Sequence, residues 1–239
     1  MLTVPQDTFL IFGHRGASAH ARENTREAIE VAAAQGAHGV ELDVRRTADG
    51  ELVVHHDSVA AGLGPIIEHT AGELRRHDPE LLGFAEAMGA CGDLIVNIEI
   101  KNFDTDPDFD PDDTVAAEVV AWVHEHGWED RVIISSFNHA TVDHIRHLSG
   151  AIATGQLILP GADAAKQLLH AHLRGHQALN PHLTSLTDPA ELSAVAAGLD
   201  MWLVAWTVDD PETIRGLRSS GFTGIITNAP AGATAAVST

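Results

Sequence analysis

The chain has 239 residues, 44% hydrophobic and 20% charged, a mix that suits a folded globular protein rather than a disordered or fibrous one. Its formal charge of −20, from 34 acidic residues against 14 lysines and arginines, argues against a phosphate-backbone binder with a broad basic footprint, so nucleic acid is not an expected partner. The lone Cys91 excludes an intrachain disulfide, residues 1–9 lack the basic flank and apolar core of a signal peptide, and no run of ~18 apolar residues could span a bilayer; a cytoplasmic protein without membrane insertion is expected.

Short β-rich runs alternate with longer helical patterns along the chain. Residues 9–12 read as a strand and 25–35 as a helix stopped by Gly36. Residues 39–45 form the next strand, and the turn signal Ala48-Asp49-Gly50 sends the chain back through 51–55 as a short hairpin. A helix is predicted over 79–90 and a buried strand over 94–100, then an acidic loop with Pro107 and Pro111 and a helix near 113–126. Residues 132–136 are a strand, followed by helix 140–148, strand 152–158, helix 162–173, a minimal strand 177–180 and helix 189–197. Strand 202–207, helix 211–220 and strand 224–227 precede an Ala-rich tail expected to be partly frayed. About eight strands alternating with helices predict a parallel sheet with helical crossovers, closed as a (β/α)8 barrel in one domain over 1–239; a doubly wound open sheet is the alternative.

The chemistry gathers at the ends of the early strands. Gly13-His14-Arg15-Gly16 follows the first strand, where a barrel places its catalytic face; His titrates near neutrality and Arg offers a planar fork for phosphate. A solvated surface loop is the plainer alternative for that tetrapeptide. Glu41 and Asp43 lie two apart, so an extended strand turns both carboxylates to one face and Val40, Leu42 and Val44 to the other. Asn97, Glu99 and Lys101 repeat the device within an aliphatic strand. Two carboxylates forced together near a barrel mouth call for a cation or a shared proton, and Glu99 completes an all-oxygen metal set with Glu41 and Asp43. Lys101 is placed to meet a phosphate, a Glu99–Lys101 ion pair being the structural alternative. His55-His56-Asp57 brings a second titratable group; adjacent histidines diverge in an extended segment, and His56 is assigned to the site.

Together, His14-Arg15-Gly16, Glu23-Asn24-Thr25, Glu41-Leu42-Asp43, His56-Asp57 and Glu99-Ile100-Lys101 resemble the glycerophosphodiester phosphodiesterase family in order and spacing. Ser135-Ser136-Phe137, Trp206-Thr207-Val208 and the stretch from Gly224 to Pro230 extend the resemblance over nearly the whole chain. It implies a (β/α)8 TIM barrel with a small insertion after the second strand, about 57–90. It also implies a divalent metal on Glu41, Asp43 and Glu99, acid–base roles for His14 and His56, and a substrate phosphate among the metal, Arg15 and Lys101. Family members release glycerol 3-phosphate and an alcohol from glycerophosphodiesters, and some relatives act on lysophospholipids. Arg22 stands where the family usually has Pro, and Asn228 replaces a common Asp.

The mechanism expected is largely electrostatic, with His14 taking a proton from the attacking hydroxyl and His56 protonating the leaving alcohol, the reverse assignment remaining open, as does the attacker, which is either the substrate's own glycerol hydroxyl, giving a cyclic intermediate, or water. Oxygen-only ligands favour Mg2+ or Ca2+ over Zn2+, with Mn2+ also admissible. Trp206 is a candidate for the alcohol side, or simple rim packing. A phospholipase-D-like enzyme cleaving lysophospholipids and a catalytically silent phosphodiester binder are the rivals; oligomeric state is left open.

Overall fold

The computed structural model describes residues 1–5 and 8–238; residues 6 and 7, within the N-terminal stretch read above, and residue 239 lie outside the described residues. The chain opens with β1 (Leu10–His14) and α1 (Arg26–Ala34), the latter started by Thr25, whose hydroxyl accepts the Ala28 N–H. β2 (Gly39–Arg46) then folds back through the short antiparallel β3 (Leu52–Val54), which sets Val44 opposite Val54. Between β3 and the next long strand lie the small hairpin β4 (Val59–Ala60) and β5 (Gly64–Pro65), then α2 (Ala71–His77) and α3 (Phe84–Ala90). The remainder alternates: β6 (Ile95–Ile100), α4 (Thr114–His126), β7 (Val132–Ser136), α5 (His139–Leu148), β8 (Ala153–Leu157) and α6 (Ala164–Leu173). It ends with β9 (Ala178–Asn180), α7 (Pro189–Gly198), β10 (Trp202–Ala205), α8 (Pro211–Ser219), β11 (Gly224–Thr227) and α9 (Pro230–Val237).

The strands β1, β2, β6, β7, β8, β9, β10 and β11 pair in parallel in that order, and β11 returns to β1 with Ile11 beside Ile225, so the sheet closes into a (β/α)8 barrel. Alternation along each strand separates two apolar regions. Val40, Leu42, Val44, Val96, Ile98 and Ile100 face outward and pack with Ile29, Met88 and Val119 of the surrounding helices. Leu10, Phe12, Val204 and Ile226 fill part of the inside, while Leu2 joins Ile133, Ala153 and Ala178 in a neighbouring cluster. The same alternation carries polar side chains inward near the strand ends, because beyond this apolar plug lies the face where loops gather.

Two expectations are corrected. The helix predicted over 79–90 begins only at Phe84, and an additional helix, α2, precedes it. Thr70 and Glu73 form a reciprocal capping box at the start of α2, and Pro79 biases Asp78 away from helical backbone, so the chain breaks there. α3 packs into the main core through Phe84, Ala87 and Met88, whereas Ala60, Ile66, Leu74 and Leu81 form a small separate cluster over Val53. The tail expected to fray is helical: Pro230 opens α9, and Ala233 and Ala236 are buried with Ile214 and Leu217 of α8. Among the described residues, no helix is long and apolar enough to cross a membrane.

Cys91 ends α3 fully inside the core, its thiol donating to the Ala87 carbonyl, and burial pushes its pKa up to about 12. A thiol that is neither exposed nor ionised is a poor nucleophile. Native protein should therefore resist a water-soluble disulfide reagent and release one equivalent of chromophore only on denaturation; fast labelling of the native form would contradict this packing.

Candidate active site

The register of the strands assembles the site. β2 and β6 run parallel with Glu41 beside Asn97 and Asp43 beside Glu99, so their inward carboxylates converge. One oxygen each from Glu41, Asp43 and Glu99 lies within 4.8 Å of the others, and all three residues are buried. Lys101 Nζ sits 2.6 Å from Glu99 Oε1 and 3.3 Å from Asp43 Oδ1. The ion pair weighed above as the structural alternative is thus formed, and any contact of Lys101 with a phosphate is made from between two carboxylates.

The loop after β1 adds two more groups. Arg15 has a left-handed backbone, φ 54°, which turns its N–H onto Glu41 Oε2 at 3.0 Å. Its Nε is 3.4 Å from Asp43 Oδ2, and its Nη1 is clamped by both oxygens of Glu23 at 3.0 and 2.9 Å. Gly16 is required beside it: at φ 84° an added Cβ would stand 2.5 Å from the Ala28 backbone. Asn24 donates to Asp43 Oδ2 at 2.9 Å. His14 Nε2 lies 4.0 Å from Glu41 Oε2, and its Nδ1 is 2.7 Å from Asn228 Oδ1.

His56 follows β3, where the His55 N–H bonds the Asp43 carbonyl, and its Nδ1 meets Asp57 Oδ1 at 2.7 Å. The charge of His56 acts on Asp43 and Glu99, that of His55 on Asp78, and both act on Asp57. Arg45 continues the alternation of Glu41 and Asp43 on β2, yet was not singled out from the sequence. Its Nε donates to the His56 carbonyl at 2.8 Å while its Nη atoms hold Asp106 and Asp108, tying the acidic loop after β6 to the His56 segment. Trp206 belongs to an aromatic wall on the same end of the barrel: its ring makes edge contacts with Phe137 at 5.2 Å and His182 at 4.8 Å, and Phe103 stacks on Phe137.

The carboxylates titrate unequally. Burial, reinforced by Asp43 and Glu99, raises the Glu41 pKa well above the ordinary range. Burial would raise Asp43 as well, but Lys101 and Arg15 overcome it and hold Asp43 at about 2. Burial also raises Glu99 against the pull of Lys101. Burial and the neighbouring Arg15 lower His14, favouring its neutral form. Among the described residues Glu41 Oε1 is buried without a hydrogen-bond partner, an arrangement that costs free energy unless something positive meets it. Three hard oxygen donors within 4.8 Å of one another, one of them from the carboxylate that carries this orphaned atom, fit a divalent cation.

A parallel (β/α)8 barrel that carries a buried tricarboxylate, with His14 and Arg15 after its first strand and His56 after the antiparallel return of its second, has the makeup of a barrel enzyme. Comparison with known proteins narrows this class: the Glycerophosphoryl diester phosphodiesterase family model matches residues 14–231, and the chain belongs to that family. It is 31% identical over 239 aligned residues to the glycerophosphodiester phosphodiesterase of Caldanaerobacter subterraneus subsp. tengcongensis, covering 92% of this chain and 94% of that one. The crystal structure of the Thermotoga maritima glycerophosphodiester phosphodiesterase superimposes with a TM-score of 0.79 at 27% identity, covering 93% and 96% of the two chains. A crystal structure from Silicibacter pomeroyi gives a TM-score of 0.85 at 26% identity, covering 96% and 93%.

Proposed function

We propose that this chain hydrolyses glycerophosphodiesters to glycerol 3-phosphate and an alcohol, with a divalent cation held by Glu41, Asp43 and Glu99 and with His14 and His56 as the acid–base pair. The observation that carries the reading is the orphaned Glu41 Oε1 inside a buried tricarboxylate, with His14 Nε2 4.0 Å from the other oxygen of the same carboxylate. When bound, the cation supplies positive charge to the phosphodiester oxygens. Its oxygen ligands favour Mg2+ or Ca2+, with Mn2+ next.

The chain's own groups do the rest. Arg15 and Lys101 are assigned to the phosphate, where their charge is worth most in the dry mouth of the barrel. His14, kept neutral by burial, takes the proton of the attacking hydroxyl at Nε2. The attacker, either water or the substrate's own glycerol hydroxyl, forms a new bond to phosphorus as the ester bond to the alcohol breaks, and His56 delivers its proton to the leaving alkoxide; where the glycerol hydroxyl attacks, a water molecule then opens the cyclic phosphate to glycerol 3-phosphate. Trp206 and its aromatic neighbours are assigned to the alcohol side, since rings at a pocket rim offer apolar contact area with little rotamer entropy to lose. The cytoplasm is the proposed compartment.

The test is release of glycerol 3-phosphate from a panel of glycerophosphodiesters by chelator-stripped protein with Mg2+, Ca2+ or Mn2+ added back. Cation-restored release is expected, and the panel ranks the alcohols. Product only from lysophospholipids would replace the substrate assigned here, and tight binding without turnover would replace the enzyme by a binder.

A further inference from the structure

We infer that Asn228 and Asp209 form a positioning relay that fixes the tautomer and aim of the His14 ring; the inference rests on His14 being an acid–base group of the proposed reaction. Asp209, in the loop after β10, has three donors aimed at its carboxylate. The Asn228 N–H and the Thr227 hydroxyl each reach Oδ1 at 2.8 Å, and Asn228 Nδ2 reaches Oδ2 at 2.7 Å. A carboxylate only accepts, so the amide of Asn228 must present its nitrogen to Asp209 and its oxygen the other way. That oxygen meets two groups, the Ser18 hydroxyl at 2.8 Å and His14 Nδ1 at 2.7 Å.

An amide oxygen also only accepts, so the hydrogen between Asn228 and His14 belongs to His14 Nδ1. In the neutral ring the lone pair is then on Nε2, the atom turned toward the carboxylate cradle. At 4.0 Å from Glu41 Oε2 that nitrogen makes no hydrogen bond there, so it stays available to a substrate hydroxyl. Two of these groups come from the β1 side and three from the β10 and β11 side, and the Asp209 carboxylate and the two ends of the Asn228 amide each act in only one sense. The polarity of the chain therefore runs from Asp209 through Asn228 to His14, and Asp209 acts only through the amide it orients.

The test compares kinetics and ring 15N chemical shifts in full-length protein, with the His14 signals identified by their loss in His14→Ala. Asn228→Ala is expected to lower kcat by about 10- to 100-fold with KM nearly unchanged, and to mix the two His14 tautomers. Asn228→Asp alone sets two carboxylates against each other and is expected to be as poor; adding Asp209→Asn restores a donor facing an acceptor and should recover most of kcat. The relay is overturned by an Asn228→Ala protein that keeps wild-type kcat or an unmixed His14 tautomer. It is equally overturned by a double exchange no better than Asn228→Asp. Full turnover by His14→Ala would instead overturn the acid–base role of His14, a separate outcome, because the ring shifts report the relay without any turnover.

Discussion

Glu41→Ala is expected to lose cation-dependent turnover by about 10³-fold or more, the effect of removing several kcal/mol of charge stabilisation at the reacting phosphate. Glu41→Gln should be as inactive while keeping the fold. Burial and the adjacent Asp43 and Glu99 carboxylates raise the Glu41 pKa, so without a cation this side chain is at home as the neutral acid, whose size and shape Gln reproduces. The pH dependence follows in sign. A group whose folded pKa is raised holds a proton that the unfolded chain releases near its ordinary value of 4.5, so its contribution to stability is complete below that pH and is lost as pH rises toward the folded pKa. Chelator-treated wild type should lose part of its stability across that window, and Glu41→Gln should lack that part. Asp43, held at about 2, works oppositely: its contribution is present above 3.8 and disappears as pH falls toward the folded value. Added Ca2+ or Mg2+ should raise the melting temperature of the wild type and leave Glu41→Gln unmoved, since only a folded site that binds the ion gains from it. A cation-responsive, near-wild-type Glu41→Gln would remove Glu41 from the ligand set.

His14→Ala should lower kcat by about 10²- to 10⁴-fold, the range of a positioned general acid or base, and should leave the cation-induced rise in melting temperature in place. The contrast between the two variants is the informative part, because His14 touches the cradle only at 4.0 Å and contributes no atom to the three converging oxygens. A His14→Ala enzyme with wild-type turnover would assign the proton transfer elsewhere, and one that lost the cation response would make the histidine a ligand.

How far the sequence revealed these groups depended on how local their signals are. Glu41, Asp43 and Glu99 were legible because two polar residues at period two stand out within aliphatic strands, and because parallel pairing of β2 with β6 makes their convergence automatic. Arg45 carried the same signal one step further along β2 and was passed over, since its partners Asp106 and Asp108 lie in an irregular loop that no periodicity predicts. α2 was missed although its capping box, Thr70 with Glu73, was readable, because seven residues give too few turns for an apolar stripe to show. α9 was read as frayed because an Ala-rich segment carries little burial signal, yet small side chains are what let it lie close to α8 and β1. Asn228 was visible only as a departure from the family pattern, and Asp209 and Ser18 had no local signature at all. Asn228 meets His14 across 214 residues of sequence, and only the closed ring of strands brings it there.

That closure also sets when the enzyme becomes active. β1 and β11 are neighbours in the barrel but nearly opposite ends of the chain, and His14 and Asn228 face each other across the joint between them. A chain emerging from the ribosome presents His14 and Arg15 with the first barrel strand, while the strand that completes their surroundings is the last of the eight to follow. Because such distant contacts must wait for everything between them, they slow folding and make it all-or-none. Partly synthesised chains should therefore hold the cradle residues without activity, and a protein cut between α8 and β11 should regain turnover only when the missing piece is supplied in trans.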